Sequence, residues 1–242
     1  FVSAGTAGPF STTAAGFAAI KDTLQPETSR TYEFGWRFRF DTLRGSLAAY
    51  HVDFDNRLLT VALGPGILGA PSGLQNVGGV KSEGIEAAGQ WAFAENWSVF
   101  ASYSYNHSTY QDDVRDGDGN LVAATSGKDT VDTPRNLFRA ELSYDNGALY
   151  GSLGLSYTDK RFFTYLNDQS VPSYTLGELT LGYRFSGDTW LNGTEVQFNA
   201  TNLADEQYVS TIGSNGFGNA GDAQTLLAGA PRQVFVTLRH HF

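Results

Sequence analysis

Residues 31–40 of the chain read Thr-Tyr-Glu-Phe-Gly-Trp-Arg-Phe-Arg-Phe. Aromatic residues occupy every second position of this stretch, and the positions between them are mostly charged or small. Because successive side chains of a β-strand point to opposite faces, the pattern predicts a strand with one apolar and one polar face. A helix would mix the two sets of residues on the same surface.

The same two-residue period recurs to the end of the chain and predicts nine strands. Several of them exceed the length of about 5–6 residues that is usual in soluble sheets, and reach the roughly 9–11 residues needed to cross a bilayer at a tilt. The expected fold is therefore an all-β, antiparallel transmembrane β-barrel. The predicted strands are 29–40, 43–60, 77–92, 96–110, 132–145, 147–163, 172–185, 193–210 and 230–242.

The predicted connections alternate between short and long. Bacterial outer-membrane barrels have short periplasmic turns and longer extracellular loops, whereas a soluble β-sandwich has no reason to keep this asymmetry. The short connections are 41–42, 94–95, the region of 146–147, and 186–192; the long ones are 61–76, 111–131, 164–171 and 211–229.

The aromatic residues are also distributed differently at the two ends of the predicted strands. Most lie near the short turns, where an interfacial girdle is expected: Phe38, Phe40, Trp91, Phe93, Trp97, Tyr144, Tyr183, Phe185 and Phe242. A second, looser set lies toward the long loops: Phe54, Tyr103, Tyr105 and Tyr157. The alternative is a soluble β core with aromatic cross-strand pairs, which leaves the alternation of the loops unexplained.

Composition excludes several classes of protein. The 242 residues contain 16 Lys+Arg against 25 Asp+Glu, a formal net charge of −9, which argues against a nucleic-acid binder. The absence of cysteine excludes disulfides, thiolate metal sites and a cysteine nucleophile. No apolar run approaches the roughly 18 residues of a transmembrane helix.

An odd number of strands predicts that the chain is part of a larger barrel. Single-chain bacterial barrels have even strand counts, and an open sheet would leave unpaired edges in lipid. On this interpretation residues 1–28 are the end of a preceding extracellular loop, and residues 29–242 form the C-terminal part of the barrel.

Four segments, in order along the chain, resemble segments of TonB-dependent outer-membrane receptors. Residues 24–37 resemble the pattern L-x-P-E-x-S-x-x-Y-E-x-G, and Ser82–Glu86 resemble S-x-G-x-E. Residues 200–208 resemble x-x-N-L-x-D-x-x-Y, and 230–242 resemble the final strand that ends in an aromatic residue, here Phe242. His240 departs from that last pattern, which usually has an apolar or aromatic residue there.

The resemblance implies the last nine or so strands of a plugged barrel of about 22 strands, with the plug outside this chain. It implies energised import of a scarce nutrient, above all a ferric siderophore, and no enzymatic activity, resident cofactor or metal. The implied partners are the TonB complex acting through the plug, outer-membrane lipid and, through Phe242, the barrel assembly machinery. A vitamin or carbohydrate receptor and a passive porin-like barrel remain alternatives.

Candidate binding residues are cations and an aromatic residue near the predicted outer mouth. By alternation Arg57, Arg135 and Lys160 are expected to point inward, with Tyr110 close by and Arg161 at the exit of its strand. Such groups could hold an anionic ferric chelate, or they could simply balance acidic residues in a wet lumen.

Two other features are expected to be structural. His51 is predicted to point into the lumen next to Asp53 and Asp55, as part of a polar ladder rather than a metal site. The loop 116–120, Asp-Gly-Asp-Gly-Asn, begins like a calcium loop but lacks the glycine at position six and the glutamate at position twelve.

Overall fold

The fold is one curved antiparallel sheet with small hairpins at one end. The computed structural model describes residues 25–62, 72–76, 78–115, 120–188, 190–214 and 224–240. No helix that could span a membrane occurs within these ranges. The strands are β1 (Thr28–Arg39), β2 (Leu43–Asp55), β3 (Leu58–Ala62), β4 (Ser72–Asn76), β5 (Val80–Ala94), β6 (Trp97–Tyr110), β7 (Val114–Arg115), β8 (Leu121–Ala123), β9 (Asn136–Asp145), β10 (Leu149–Thr158), β11 (Arg161–Phe162), β12 (Ser170–Val171), β13 (Tyr174–Arg184), β14 (Thr194–Thr201), β15 (Val209–Ser214), β16 (Gln224–Ala228) and β17 (Gln233–His240).

Nine of these strands form the main sheet in the order β1-β2-β5-β6-β9-β10-β13-β14-β17. Each pairs with its predecessor along the sheet in antiparallel register, as in a β-meander. The nine strands predicted from the sequence are thus confirmed, in order and direction.

Four two-stranded hairpins, β3–β4, β7–β8, β11–β12 and β15–β16, lie within or directly next to the four connections predicted to be long. The sequence pattern continued through their first strands, so the predicted strands 43–60, 147–163 and 193–210 were too long. At two of these junctions the chain leaves the sheet through a residue with positive φ, Asn56 (59°) and Asn202 (50°). Asparagine tolerates this left-handed conformation, in which a strand cannot continue.

One face of the sheet is polar and concave. A cavity of about 910 Å³ lies against it, lined mainly by small and charged residues. The register places residues such as Gly35, Ala48, Glu86 and Ser104 side by side across four strands on this face. In a closed barrel the concave face lines the lumen.

The opposite, convex face carries an exposed apolar band. Phe34 is 81% exposed and Leu153 is 52% exposed, which is the arrangement expected of side chains in contact with lipid. Near the short turns aromatic rings contact one another in pairs, including Trp36–Phe38, Trp91–Phe93, Trp97–Tyr144 and Tyr183–Phe185, with centroids 4.8–5.6 Å apart. All of these residues except Trp36 belong to the predicted lower girdle. Phe242, also predicted there, lies outside the described residues.

The height of the apolar band can be read along β6. Trp97 lies at its lower end and Tyr105 near its upper end, about 27 Å apart along the strand at roughly 3.4 Å per residue. A barrel tilt of about 40° reduces this to about 21 Å, close to the apolar band of about 25 Å in outer-membrane barrels.

Above the band the polarity of the two faces is inverted. On the convex face the register aligns His51 with Glu83 and Glu83 with His107. On the concave face it aligns Phe54 with Val80 and Val80 with Tyr110. The apolar residues on the concave face there pack beneath the folded loops. The polar residues on the convex face lie above the apolar band, where the strands extend beyond the lipid.

The predicted orientation of β2 was therefore wrong. His51 is paired with Tyr32, and Ala49 with Phe34, so both lie on the convex face. Phe54, expected in the upper lipid-facing set, instead points to the concave side. The prediction assumed that the apolar face of a strand always faces lipid, which holds only inside the bilayer.

Among the described glycines of the sheet, Gly84 of β5 has the closest contact with the backbone of a neighbouring strand. It is buried, and a Cβ at this position would overlap the carbonyl oxygen of Tyr105 and the hydroxyl of Tyr50. Because the carbonyl belongs to the neighbouring strand, it cannot move without disturbing the ladder.

We expect Gly84→Ala to destabilise the barrel by about 1–3 kcal/mol through overpacking. Gly35→Ala is the matched control, because its Cβ would lie 3.7 Å from the nearest atoms on the same concave face. Thermal unfolding of the full-length protein in detergent, followed by heat-modifiable gel migration, measures the difference. Equal melting temperatures for the two variants would contradict this assignment of the contact.

Candidate functional site

The residues at the outer end of the concave face are held by a small apolar core. Tyr110, the last residue of β6, is 5% exposed and packs with Val131 and Tyr165, which come from two different loops. The rings of Tyr110 and Tyr165 meet edge to face, with centroids 5.7 Å apart. The backbone N–H of Val131 donates a hydrogen bond to Tyr110 Oη at 3.2 Å.

Arg57 lies over this core. Its guanidinium carbon is 5.5 Å from the centroid of the Tyr110 ring, within the range of a cation–π contact. Arg57 also borders a cavity of about 330 Å³ lined by Val52, Phe54 and Val80 on the concave side. Of the predicted site residues, Arg57 and Tyr110 are therefore brought together.

Arg135 is held elsewhere. It donates two hydrogen bonds to the carboxylate of Asp129, from Nε at 3.1 Å and from Nη2 at 2.7 Å. Hydrogen bonding to this carboxylate raises the pKa of Arg135. Asp129 is bridged to Thr109 and lies 3.7 Å from His107, both on the convex face. The guanidinium of Arg135 is thus bound on the convex side, not in the lumen as predicted.

Lys160 is exposed and extends over the ring of Phe162, with Nζ 4.9 Å from the ring centroid. The two residues flank the start of the hairpin β11–β12. The contact leaves the ammonium group accessible to solvent, so Lys160 remains available for a ligand.

Arg161 connects three loops. Its side chain is 8% exposed and pairs with Asp132, 3.0 Å away, in the loop before β9. Its Nη2 donates to the carbonyl of Val209 at 2.7 Å, at the start of β15. Because both Nη atoms are bound to groups of other loops, the guanidinium acts as a structural tether, although its buried Nε has no hydrogen-bond partner among the described residues.

Further hydrogen bonds join the loops to one another. Asn167 accepts a bond from the backbone N–H of Asp129 and donates one to its carbonyl. Asn202 is 4% exposed, and its amide donates to the carbonyls of Glu206 and Ala230 across the β14–β17 connection. The outer loops therefore form a connected rim.

Sequence reasoning missed Tyr165, Val131, Asp132, Asp129 and Asn167, because they lie in loops where alternation gives no orientation. The loop 116–119 lies outside the described residues, apart from Asn120 at its end.

Comparisons with known proteins agree with this geometry. A family model described as "TonB dependent receptor-like, beta-barrel" matches residues 2–203. The ferrioxamine receptor of Yersinia enterocolitica is 30% identical over 230 residues, which cover 90% of this chain and 28% of the receptor.

Solved structures resemble the chain in fold. The ferric yersiniabactin uptake receptor of Yersinia pestis matches with a TM-score of 0.69 at 18% identity, covering 89% of this chain and 30% of that one. The unliganded ferric citrate transporter matches with a TM-score of 0.70 at 17% identity, covering 92% of this chain and 32% of that one. The chain spans about a third or less of the length of these proteins.

We expect Arg161→Gln to loosen the outer rim. The change removes charged hydrogen bonds to Asp132 and to the carbonyl of Val209, which should cost about 1.5–3 kcal/mol. This is less than for a fully buried ion pair, because Asp132 is 36% exposed. Amide hydrogen exchange in residues 209–214 of the full-length protein should accelerate at least tenfold. Lys160→Gln, which removes a neighbouring exposed charge, should leave exchange unchanged; similar effects of both variants would refute the tether.

Burial raises the pKa of Tyr165 to about 12, and the nearby Tyr110 adds to the rise. The ordinary value is about 10, so the folded loop core loses stability as the pH rises from 10 toward 12. The ultraviolet absorbance difference between wild type and Tyr165→Phe should therefore titrate near pH 12. A difference that titrates near pH 10 would contradict the burial of this phenol.

Proposed function

The chain belongs to the family of TonB-dependent receptor β-barrels, and we propose that it forms the C-terminal part of a receptor that imports a ferric siderophore of the ferrioxamine type. Proteins of this family are receptors and transporters of the Gram-negative outer membrane rather than enzymes, so the chain is an outer-membrane barrel segment.

One observation carries the choice of substrate. The 30% identity to the ferrioxamine receptor extends over 90% of this chain, so it includes the strands and loops that form the outer mouth. The wall of the mouth fits a ligand of mixed character, since Arg57 borders a cavity that is otherwise lined by apolar residues and hydroxyls.

The regions of the chain and its partners follow from this function. Residues 1–28 end an extracellular loop, and residues 29–242 form the barrel segment. Import requires a plug in the lumen on which the TonB complex acts, lipid around the apolar band, and the barrel assembly machinery, which binds the final strand ending in Phe242.

Binding is assigned first to Arg57, whose guanidinium lies over the ring of the buried Tyr110, and then to the accessible Lys160. Arg135 and Arg161 support the mouth through their carboxylate partners. In this arrangement the loops provide a shaped rim, and the cations attract oxygen-rich chelates.

The function is tested by uptake of radioactive iron. A strain that expresses the full-length receptor as its sole route for ferrioxamine B should accumulate iron under iron limitation, and deletion of TonB should abolish this. Uptake that persists without TonB would favour a passive porin. A strain that accumulates no iron from ferrioxamine B, but that the receptor allows to grow on a vitamin or carbohydrate, would favour a different cargo.

Arg57→Gln should weaken ferrioxamine B binding about tenfold, the loss expected when one charged hydrogen bond of roughly 1.5 kcal/mol is removed. Arg30→Gln is the matched control, because Arg30 lies opposite Asp53 on the convex face. Quenching of intrinsic fluorescence in detergent measures both affinities. Equal affinities in the two variants would remove Arg57 from the site.

A further inference from the structure

A second cavity of about 330 Å³ lies where the outer ends of β5 and β6 meet the loop that follows β6. We call it the wall cavity. Its polar side chains come from both strands and from the loop: Lys81, Glu83, His107, Thr109, Gln111 and Ser126.

The wall cavity opens on the convex face, outside the barrel. The register places Lys81 opposite Thr109 and Glu83 opposite His107, in rows that continue the polar upper part of the convex face. The wall cavity is therefore separate from the cavity that Arg57 borders on the concave side.

The height of the wall cavity matches the headgroup layer of the membrane. His107 and Thr109 follow Tyr105, the upper end of the apolar band on β6. At roughly 3.4 Å per residue and a tilt of about 40°, they lie about 5–10 Å above the band. The polar headgroup layer on each side of a bilayer is about 5–8 Å thick.

Apolar side chains lie directly below the wall cavity. Ile85, which is 49% exposed, is opposite Tyr105 in the row beneath Glu83 and His107. A polar cavity that continues downward into an exposed apolar surface fits an amphipathic molecule. Its head would occupy the cavity, and its acyl chains would lie along the band.

The loop that covers the wall cavity is fixed to the ends of the strands. Gln111 Nε2 donates to the carbonyl of Thr109 at 3.1 Å and to its Oγ1 at 3.0 Å. Ser126 Oγ donates to the carbonyl of Gln111 at 3.0 Å. These bonds hold the cavity in shape without a ligand, which reduces the entropy lost on binding.

The polar groups of the wall cavity include both donors and acceptors. Lys81 Nζ lies 3.1 Å from Glu83 Oε2, and an ammonium has three N–H donors, so two are left for a ligand. Thr109 Oγ1 accepts from Gln111, so its own O–H can donate. Donors of this kind suit phosphate oxygens, while the carboxylate of Glu83 and the amide oxygen of Gln111 can accept from hydroxyl groups.

We propose that the wall cavity binds the phosphorylated sugar headgroup of a glycolipid in the outer leaflet. Lys81 and Thr109 donate to the phosphate, Glu83 accepts from sugar hydroxyls, and the acyl chains lie over Ile85 and Tyr105. This site is distinct from the cargo site, and it rests only on the position of the strands in the outer membrane.

The first test titrates the delipidated full-length receptor in detergent with lipid A, a phosphorylated glucosamine lipid, by native mass spectrometry. Lys81→Gln should weaken the tightest lipid A site at least about tenfold, the loss expected for one charged hydrogen bond. Arg30→Gln is the matched control, because Arg30 is exposed in the same convex row as Asp53 and Lys81 but does not line the cavity. Equal affinities of the two variants would overturn the proposal.

Two further probes distinguish the sources of the headgroup. Glucosamine 1-phosphate has the head without acyl chains, and phosphatidic acid has phosphate and chains without the sugar. Both should compete with lipid A much more weakly than lipid A itself. Equal competition by the free sugar phosphate would make the site one for a soluble ligand, and equal competition by phosphatidic acid would remove the sugar; either result would refute the proposal.

Acetylation of lysines by acetic anhydride locates the site in the wild-type protein and does not require Lys81→Gln to fold. Lipid A should slow the acetylation of Lys81 at least tenfold and leave the exposed Lys160 unchanged. An unprotected Lys81 would reject the site. Both readouts are independent of cargo, so a receptor that fails to import ferrioxamine B can still bind lipid A here.

Discussion

Every backbone N–H and C=O of a strand inside lipid must find its hydrogen-bonding partner in a neighbouring strand, because the bilayer offers none. The nine-stranded antiparallel sheet meets this requirement along most of its length, with each strand bonded to the next. The long strands, the two-residue alternation and the placement of hairpins outside the sheet all follow from it.

The inversion of polarity along the strands connects the membrane-spanning part of the sheet to the outer mouth, where ligand binding is proposed. Within the bilayer, apolar side chains face outward and polar side chains face the lumen. Above it, Phe54, Val80 and Tyr110 turn a short apolar surface to the concave side, where they support the folded loops. The same strands thus hold both the lipid contact and the platform on which Arg57 lies.

The outer loops are more than connections. Arg161, Asn167 and Asn202 tie loops that are distant in sequence into one rim.

The sequence by itself determined the number, order and direction of the main strands, because alternation reports directly on a sheet with one lipid face. It also identified the family, and it placed Arg57 and Tyr110 near one mouth. Only the tertiary structure decided where the bilayer ends along β2. As a result, His51 lies on the convex face and Phe54 on the concave face, the reverse of the predicted orientations. It also decided that Arg161 is bound by a carboxylate from another loop and Arg135 by one from its own loop. Loop residues have no fixed period, and their partners are chosen by contacts between segments far apart in the chain.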